Sequence, residues 1–358
     1  MVDIFDDFYR GKRVLVTGHT GFKGSWLSIW LHELGAEVIG VALDPFSQKD
    51  NFVLSGIGGK IKADIRDDIR DRQKLKNIFL EYQPEIVFHL AAQPLVRLSY
   101  EQPVETYEVN VMGTIHVLEA IRKTPSVKVG VMITTDKCYD NKEQLQGYKE
   151  TDPLGGYDPY SSSKGACEIA IQSWRRSFFN PVDYGKKHTV SIASVRAGNV
   201  IGGGDWALDR IIPDCIRALE TGKVIDIRSP KAVRPWEHVL EPLSGYMILA
   251  QKMWDNPTGY CEGWNFGPEA DGFSTVWEVA TELIKNFGRG ELKDSSDSNA
   301  VHEAKLLMLD INKVKAKLGW KPRMNMQQCM ELVADWYKRY QKEDVYQICI
   351  DEINQFLK

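Results

Sequence analysis

Tyr160 and Lys164 are separated by Ser161, Ser162 and Ser163, and on a helix this spacing puts both side chains on one face. A lysine ammonium beside a phenol favours the phenolate, so the pair predicts a tyrosine that works as a base near neutral pH. The three serines suit the start of a helix. A second group lies upstream in Thr134-Thr135-Asp136-Lys137-Cys138-Tyr139. At the carboxyl end of a strand, the Thr135 hydroxyl can bond a sugar hydroxyl and complete a Thr/Tyr/Lys set. Asp136 and Lys137 add two ionisable groups at the same mouth; a solvated turn with an ordinary charge pair has the same composition.

The third group is a glycine turn, TGHTGFKGSW, with Gly18, Gly21 and Gly24 between a β-branched run and a helical pattern. Glycines let the main chain approach a pyrophosphate, and the next helix points its N–H groups at the charge. A dinucleotide cofactor is expected there. Its positive nicotinamide ring would also favour the Tyr160 phenolate. Asp44 follows Gly24 by 20 residues, a position that accepts from an adenosine ribose and repels a 2′-phosphate, so NAD is expected over NADP. A plain turn residue before Pro45 is the other reading of Asp44. Asp64 is read either as an adenine-edge ligand or as a surface cap. Phe22, Lys23, Ile65 and Ala91, beside these positions or after the fourth strand, are also expected at the cofactor. His19 is read as a spacer.

These groups need a frame. Runs at 13–17, 38–43, 61–64, 86–90, 129–134 and 190–196 read as strands buried on both faces of a parallel sheet. Helical patterns at 22–35, 72–83 and 104–123 alternate with them; the first ends at Gly35 and the other two before Pro84 and Pro125. The fold class is therefore α/β: a doubly wound Rossmann-type parallel sheet. After Arg196 the pattern loosens into a glycine loop (198–206), a helix (208–220), a short strand (224–228), a proline-bounded turn (234–238), and a mostly helical remainder with a strand at 264–267. The expected division is a nucleotide-binding domain over 1–197, with a returning segment near 231–262. A smaller, mostly helical substrate lobe takes 198–230 and 263–358.

The net charge of −4 gives no footprint for nucleic acid. Six scattered cysteines without a CxxC pair disfavour a zinc site or disulfide framework, and fit a reducing cytoplasm. No metal site is expected. No signal core precedes the first strand, and no apolar run nears the ~20 residues of a membrane helix.

The glycine turn, the Thr-Asp pair and YSSSK resemble nucleotide-sugar 4,6-dehydratases of the extended short-chain dehydrogenase/reductase family, over nearly the whole chain. The longer strings GGYDPYSSSKG, RAGNVIGGGDWALDRIIPD and RPWEHVLEPLSGY resemble the branch of that family that acts on CDP-glucose. The resemblance implies a redox-neutral lyase that keeps NAD bound. Tyr160 takes the sugar 4-hydroxyl proton while hydride leaves C4, Asp136 protonates the departing C6 hydroxyl, and hydride returns to C6. It implies CDP-glucose as the small-molecule substrate and a product destined for bacterial surface polysaccharide such as lipopolysaccharide.

One position departs from the family. Relatives acting on dTDP-glucose or GDP-mannose carry a glutamate, the presumed C5 base, where this chain has Lys137. Three readings stay open: a neutral Lys137 base, a charged Lys137 that stabilises the enolate oxygen, or Asp136 as both base and acid. Substrate contacts are expected from Gln93, Asn199, Arg210 and Arg234. The Arg234 guanidinium fork suits a pyrophosphate, although a surface ion pair is equally open for it. His238 is read as structural. The helix at 104–123 offers a seam for a homodimer or homotetramer. A 4-epimerase or reductase of the same fold has no use for an acid like Asp136, and a non-catalytic NAD-binding protein gains nothing from Tyr160 and Lys164 in register.

Overall fold

A computed structural model describes residues 4–269, 272–296 and 306–358. The first six strands are β1 (Arg13–Thr17), β2 (Glu37–Ala42), β3 (Ala63–Arg66), β4 (Ile86–His89), β5 (Val129–Ile133) and β6 (Ser191–Ala197). Short strands β7 (Asn199–Ile201), β8 (Ile225–Ile227) and β9 (Val233–His238) follow, then β10 (Gly263–Phe266), β11 (Phe273–Thr275) and β12 (Leu292–Asp294). The main sheet has the order β3-β2-β1-β4-β5-β6-β10, and all of its pairings are parallel. The chain reverses its walk between β1 and β4, so a crevice opens there at the strand carboxyl ends.

Helices cover both faces. α1 (Phe22–Glu33), α2 (Asn51–Ser55), α3 (Arg72–Tyr82), α4 (Val96–Glu101), α5 (Pro103–Tyr107), α6 (Gly113–Lys123) and α7 (Pro159–Ser177) belong to the first half. α8 (Ile211–Thr221), α9 (Leu240–Asp255), α10 (Val276–Phe287), α11 (Asn312–Leu318), α12 (Met326–Arg339) and α13 (Val345–Phe356) belong to the second. Strand residues alternate between two cores. Val14, Val16, Ile86 and Phe88 enter the core with α1, α9 and α13, whereas Leu15 and Val87 enter the one with α3, α6 and α7. Each such fully buried aliphatic side chain contributes roughly 1.5–3 kcal/mol.

Three elements differ from the sequence reading. The helix expected over 104–123 runs unbroken but is not regular: a π turn over Glu108–Met112 lies between α5 and α6. The cause is local: the buried Asn110 side chain takes the Gln93 N–H at 2.8 Å and donates to Ser163 Oγ at 2.9 Å, holding an extra residue in that turn. The turn expected at 234–238 is strand β9, central in a small sheet between parallel β7 and antiparallel β11. Pro235 is tolerated because the β7 pairing begins one residue later, at Trp236. The strand expected at 264–267 in the second lobe is β10, the edge of the main sheet, paired with β6. Four residues, Gly-Trp-Asn-Phe, are too few to give a periodic signal that separates a sheet edge from lobe packing.

Among the described residues no helix is long and apolar enough to cross a membrane.

Candidate active site

The glycine turn is built for close backbone approach. Gly18 has φ +76°, and a Cβ there would lie 2.7 Å from the Ala91 nitrogen. A Cβ on Gly24 would lie 2.0 Å from the Gly18 carbonyl oxygen. α1 starts at Gly21 with no side-chain cap, so its first N–H groups face outward unclaimed by side chains. This cradle fits the pyrophosphate of a dinucleotide. Ala91 abuts the turn and donates its N–H to Thr17 Oγ1 at 3.2 Å. Phe22 reaches across to the second lobe, where its ring would meet a Cβ on Gly202 at 3.0 Å.

His19 is more than a spacer. It is fully buried beneath Gly40, and its Nε2 lies 2.7 Å from Asp64 Oδ1. Burial lowers its pKa, against the opposing pull of Asp64. Asp64 also takes the Arg66 guanidinium at 2.8 Å, so His19 and Arg66 fix its direction. Ile65 packs into the core below. Asp44 stands 87% exposed just past β2, 3.8 Å from Arg66 Nε.

The expected catalytic residues meet at the carboxyl end of β5. Asp158 caps α7 by accepting the Ser161 N–H at 2.9 Å, and Pro159 occupies the first turn, which seats Tyr160 beside that strand end. Thr135 Oγ1 donates to Asp136 Oδ1 at 2.8 Å, and its hydroxyl also favours the phenolate form of Tyr160. Asp136 is 1% exposed, and its Oδ2 has no hydrogen-bond partner in the protein. Burial pushes this carboxyl above its ordinary range, while Lys137, the Thr135 bond, Arg234 and Lys23 pull it back in part. It is therefore closer to holding a proton near neutrality than a surface aspartate is.

Burial raises the Tyr160 phenol well above the ordinary value; Thr135 and Arg210 only partly offset this. The Lys164 ammonium donates to the Ile133 carbonyl at 3.5 Å, and burial lowers it, with Cys167 and Glu168 as its main opposing partners. The pair shares a helix face as the spacing required, and the lysine ammonium reaches the carboxyl end of β5.

The substrate candidates divide. Arg234 is buried on β9 and Arg210 precedes α8; their charges reach Asp136 and Tyr160 respectively. Arg210 is held by Asp205 at 2.9 Å. Asn199 opens β7, half-buried opposite Trp236. Gln93 turns its amide inward, donating to Thr106 at 2.9 Å and accepting from the Leu95 N–H at 2.5 Å, so it shapes the loop rather than offering that amide to a ligand.

Two features escaped the sequence reading. Glu168 and Arg196 form an ion pair at 2.9 Å beneath the site, each 1% exposed. Burial alone would raise Glu168, but Arg196, Thr134 and Ser194 outweigh it and hold the carboxyl below its ordinary range. Its place four residues after Lys164 was the available signal. Glu237 in RPWEH is 2% exposed without a well-formed hydrogen bond to either oxygen. Burial raises it and lowers Lys23, whose charge is its chief counterpart. His238 is buried against Trp26, 3.5 Å from Glu352, and burial holds it neutral, lowered to about 3.

The parallel sheet, glycine cradle and Thr/Tyr/Lys set define an extended short-chain dehydrogenase/reductase fold. Residues 15–333 match the family of GDP-mannose 4,6 dehydratase, and the chain belongs to that family. It is 49% identical over 343 residues to a CDP-glucose 4,6-dehydratase of Salmonella typhimurium, covering 96% of this chain and 95% of that protein. A crystal structure of dTDP-glucose 4,6-dehydratase from Bacillus anthracis in complex with NAD superposes with TM-score 0.75 at 21% identity, over 92% of this chain and 97% of that one. A UDP-glucose 4-epimerase from Stenotrophomonas maltophila with bound NAD superposes at 0.79 with 21% identity, over 92% and 99%. The two structures share the fold with this chain at that level of identity.

Proposed function

We propose that this protein is an NAD-dependent CDP-glucose 4,6-dehydratase, which turns CDP-glucose into CDP-4-keto-6-deoxyglucose and water. The observation that carries the reading is Asp136: a buried carboxyl, raised by burial, bonded to Thr135 on one oxygen and without a protein partner on the other. An epimerase or reductase needs the neighbouring Tyr160 but no such acid. The 49% relative supports the choice of CDP among nucleotide sugars.

NAD bound in the glycine cradle supplies a reversible hydride sink between C4 and C6. Gly18, Gly21, Phe22, Lys23 and Gly24 hold its pyrophosphate side, and Asp44, Asp64, Ile65 and Ala91 its adenosine side. Tyr160 takes the 4-hydroxyl proton; the C4 ketone that results acidifies the C5 hydrogen. Asp136 and Lys137 together handle the C5 proton and the departing C6 hydroxyl, which leaves as water. Lys137 is assigned the charged role, in which it steadies the enolate oxygen. Arg234, Arg210 and Asn199 are assigned to the nucleotide diphosphate and sugar. Residues 1–197, the return near 231–262 and strand β10 carry the cofactor; the remaining lobe carries the nucleotide sugar. The protein works in the cytoplasm as a homodimer or homotetramer and feeds deoxysugars into surface polysaccharide.

The test is to incubate purified protein with CDP-glucose, UDP-glucose and dTDP-glucose separately. The expected result is loss of one water by mass and an alkaline ketone absorbance with CDP-glucose alone. A C4 epimer of unchanged mass, or no reaction, overturns the reading.

A further inference from the structure

His89 ends β4 beside Thr17 at the end of β1, in the crevice where the chain reverses its walk. The proposed chemistry makes no use of it, yet both of its ring nitrogens are bonded. Nδ1 lies 2.7 Å from Thr17 Oγ1, and Nε2 lies 2.9 Å from Thr114 Oγ1 on α6. Thr114 Oγ1 lies 3.7 Å from Cys167 Sγ on α7, and Cys167 donates to the Asn110 carbonyl at 3.0 Å. At the other end the Ala91 N–H donates to Thr17 Oγ1 at 3.2 Å. Thr17, His89, Asn110, Thr114 and Cys167 are all buried, none more than 3% exposed.

Two backbone groups fix the direction of the bonds between them. A carbonyl oxygen only accepts, so the Cys167 thiol gives its proton to Asn110 and its sulfur accepts from Thr114. The Thr114 hydroxyl has one proton, so its oxygen accepts from His89 Nε2–H. The Ala91 N–H only donates, so Thr17 Oγ1 accepts there and keeps its own O–H for His89 Nδ1. The reversed order would leave the buried Thr17 proton with no acceptor among the described residues. The ring is therefore the Nε2–H tautomer. Burial, with the Lys164 charge acting the same way, lowers the His89 pKa to about 3 and keeps the ring neutral.

One end of this chain is the cofactor cradle: Ala91 abuts Gly18, where an added Cβ would lie 2.7 Å from the Ala91 nitrogen. The other end is α7. Cys167 belongs to that helix, and the Asn110 side chain donates to its Ser163 at 2.9 Å. The Ser163 hydroxyl in turn donates to the Tyr160 carbonyl at 2.7 Å. We infer that His89 is a positioning residue: it sets the distance between the cofactor cradle and the helix that carries Tyr160 and Lys164. Hydride leaves C4 as the proton leaves its hydroxyl, so the two halves of the site must keep one register. A shift of about 1 Å between them costs up to about 100-fold in rate. A rigid ring with one donor and one acceptor holds that register and contributes no proton of its own.

The kinetic part of the test rests on the proposed dehydratase reading; the other parts do not. The first measurement is nitrogen-15 NMR of the purified enzyme labelled at histidine. The His89 signal is identified by its loss in His89→Gln or its displacement in Thr114→Ser. It is expected as the neutral Nε2–H tautomer throughout about pH 5–9. An Nδ1–H tautomer, or protonation within that range, overturns the inference. The second measurement uses Thr114→Val, which keeps the side-chain shape and removes the bond to His89, and Thr114→Ser, which keeps that bond. In the valine variant the NAD dissociation constant, read by fluorescence titration, rises about tenfold. Turnover of CDP-glucose per bound NAD falls about tenfold, while KM for CDP-glucose stays within about threefold. Serine restores both. A purely structural role would lower thermal stability alone, so turnover per bound NAD within about threefold of the parent overturns the inference. Should Thr114→Val fail to fold, Cys167→Ala breaks the chain one bond later and is read the same way. Absence of any ketone product from the unaltered enzyme counts against the dehydratase reading. NAD affinity of the valine variant then decides, and a value within about threefold of the parent overturns the role of His89.

Discussion

Thr135, Asp136 and Tyr160 illustrate how burial, more than neighbouring charge, sets chemistry at the scale of single residues. A surface aspartate is ionised at neutral pH; Asp136 is pushed toward its neutral form because its charge would be desolvated. The same force raises the Tyr160 phenol, so its action as a base depends on substrate and cofactor completing the site. Tyr160→Phe is therefore expected to cut turnover by roughly 10³-fold while leaving bound NAD nearly unchanged, read by ketone formation and by cofactor content after gel filtration. Retained turnover would remove Tyr160 from the base role. The deeper charges are structural: Glu168 and Arg196 satisfy each other so that the carboxyl end of β5 stays fixed.

Elements translate these residues into position, and their tolerances are narrow. The start of α1 passes so close to Gly18 that any side chain at Gly24 collides with backbone, which cannot give way cheaply. Gly24→Ala is expected to lower NAD affinity at least 100-fold, measured by fluorescence titration; a change under threefold would mean that the turn does not hold the cofactor. α9 offers a second case. Glu241, buried in its first turn, accepts the Arg323 and Met324 N–H groups at 2.8 Å each and so ties α9 to the segment before α12. Burial pushes its carboxyl from 4.5 to about 7, those two bonds pulling the other way. The folded state thus binds this proton more tightly than the unfolded chain. Its stabilising contribution is complete below about pH 4.3 and is lost as pH rises through about 7. Glu241→Gln keeps the acceptor and removes the titration. Denaturant melts should give a difference between variant and parent that moves in the variant's favour by roughly 3 kcal/mol between pH 4 and 8. A pH-independent difference would show that Glu241 does not titrate in that window.

At the scale of the whole molecule, the chain closes on itself. Tyr9 near the start bonds the Met247 carbonyl at 2.7 Å, and α13 near the end packs on α1 and α2, so both chain ends complete the core beneath the cofactor cradle. The opposite flank is less finished. Val104, Tyr107 and Met112 expose apolar surface along α5 and the π turn, beside Pro103 and Val111. This is the face assigned to self-association. Val104→Glu with Met112→Glu is expected to convert the proposed homodimer or homotetramer to monomer in sedimentation velocity while leaving thermal stability within a few degrees. An unchanged sedimentation coefficient would put the seam elsewhere.

The order of strands and helices, the glycine cradle and the register of Tyr160 with Lys164 were legible in the chain alone, because each depends on periodicity or spacing over a few residues. Only the tertiary structure joined what sequence separates. β10 was assigned to the wrong layer because a strand of four residues is too short for its pattern to say which layer it joins. RPWEH became a strand because its partners, β7 and β11, lie outside the window in which turn residues are read. Glu237, Glu168 and His19 gained their roles from burial against distant segments, and Gln93 lost its free amide to a loop it had to hold. Local pattern determines most elements but not a strand such as β9 that its partners make; the desolvation that gives a side chain its proton affinity exists only once the elements have closed around it.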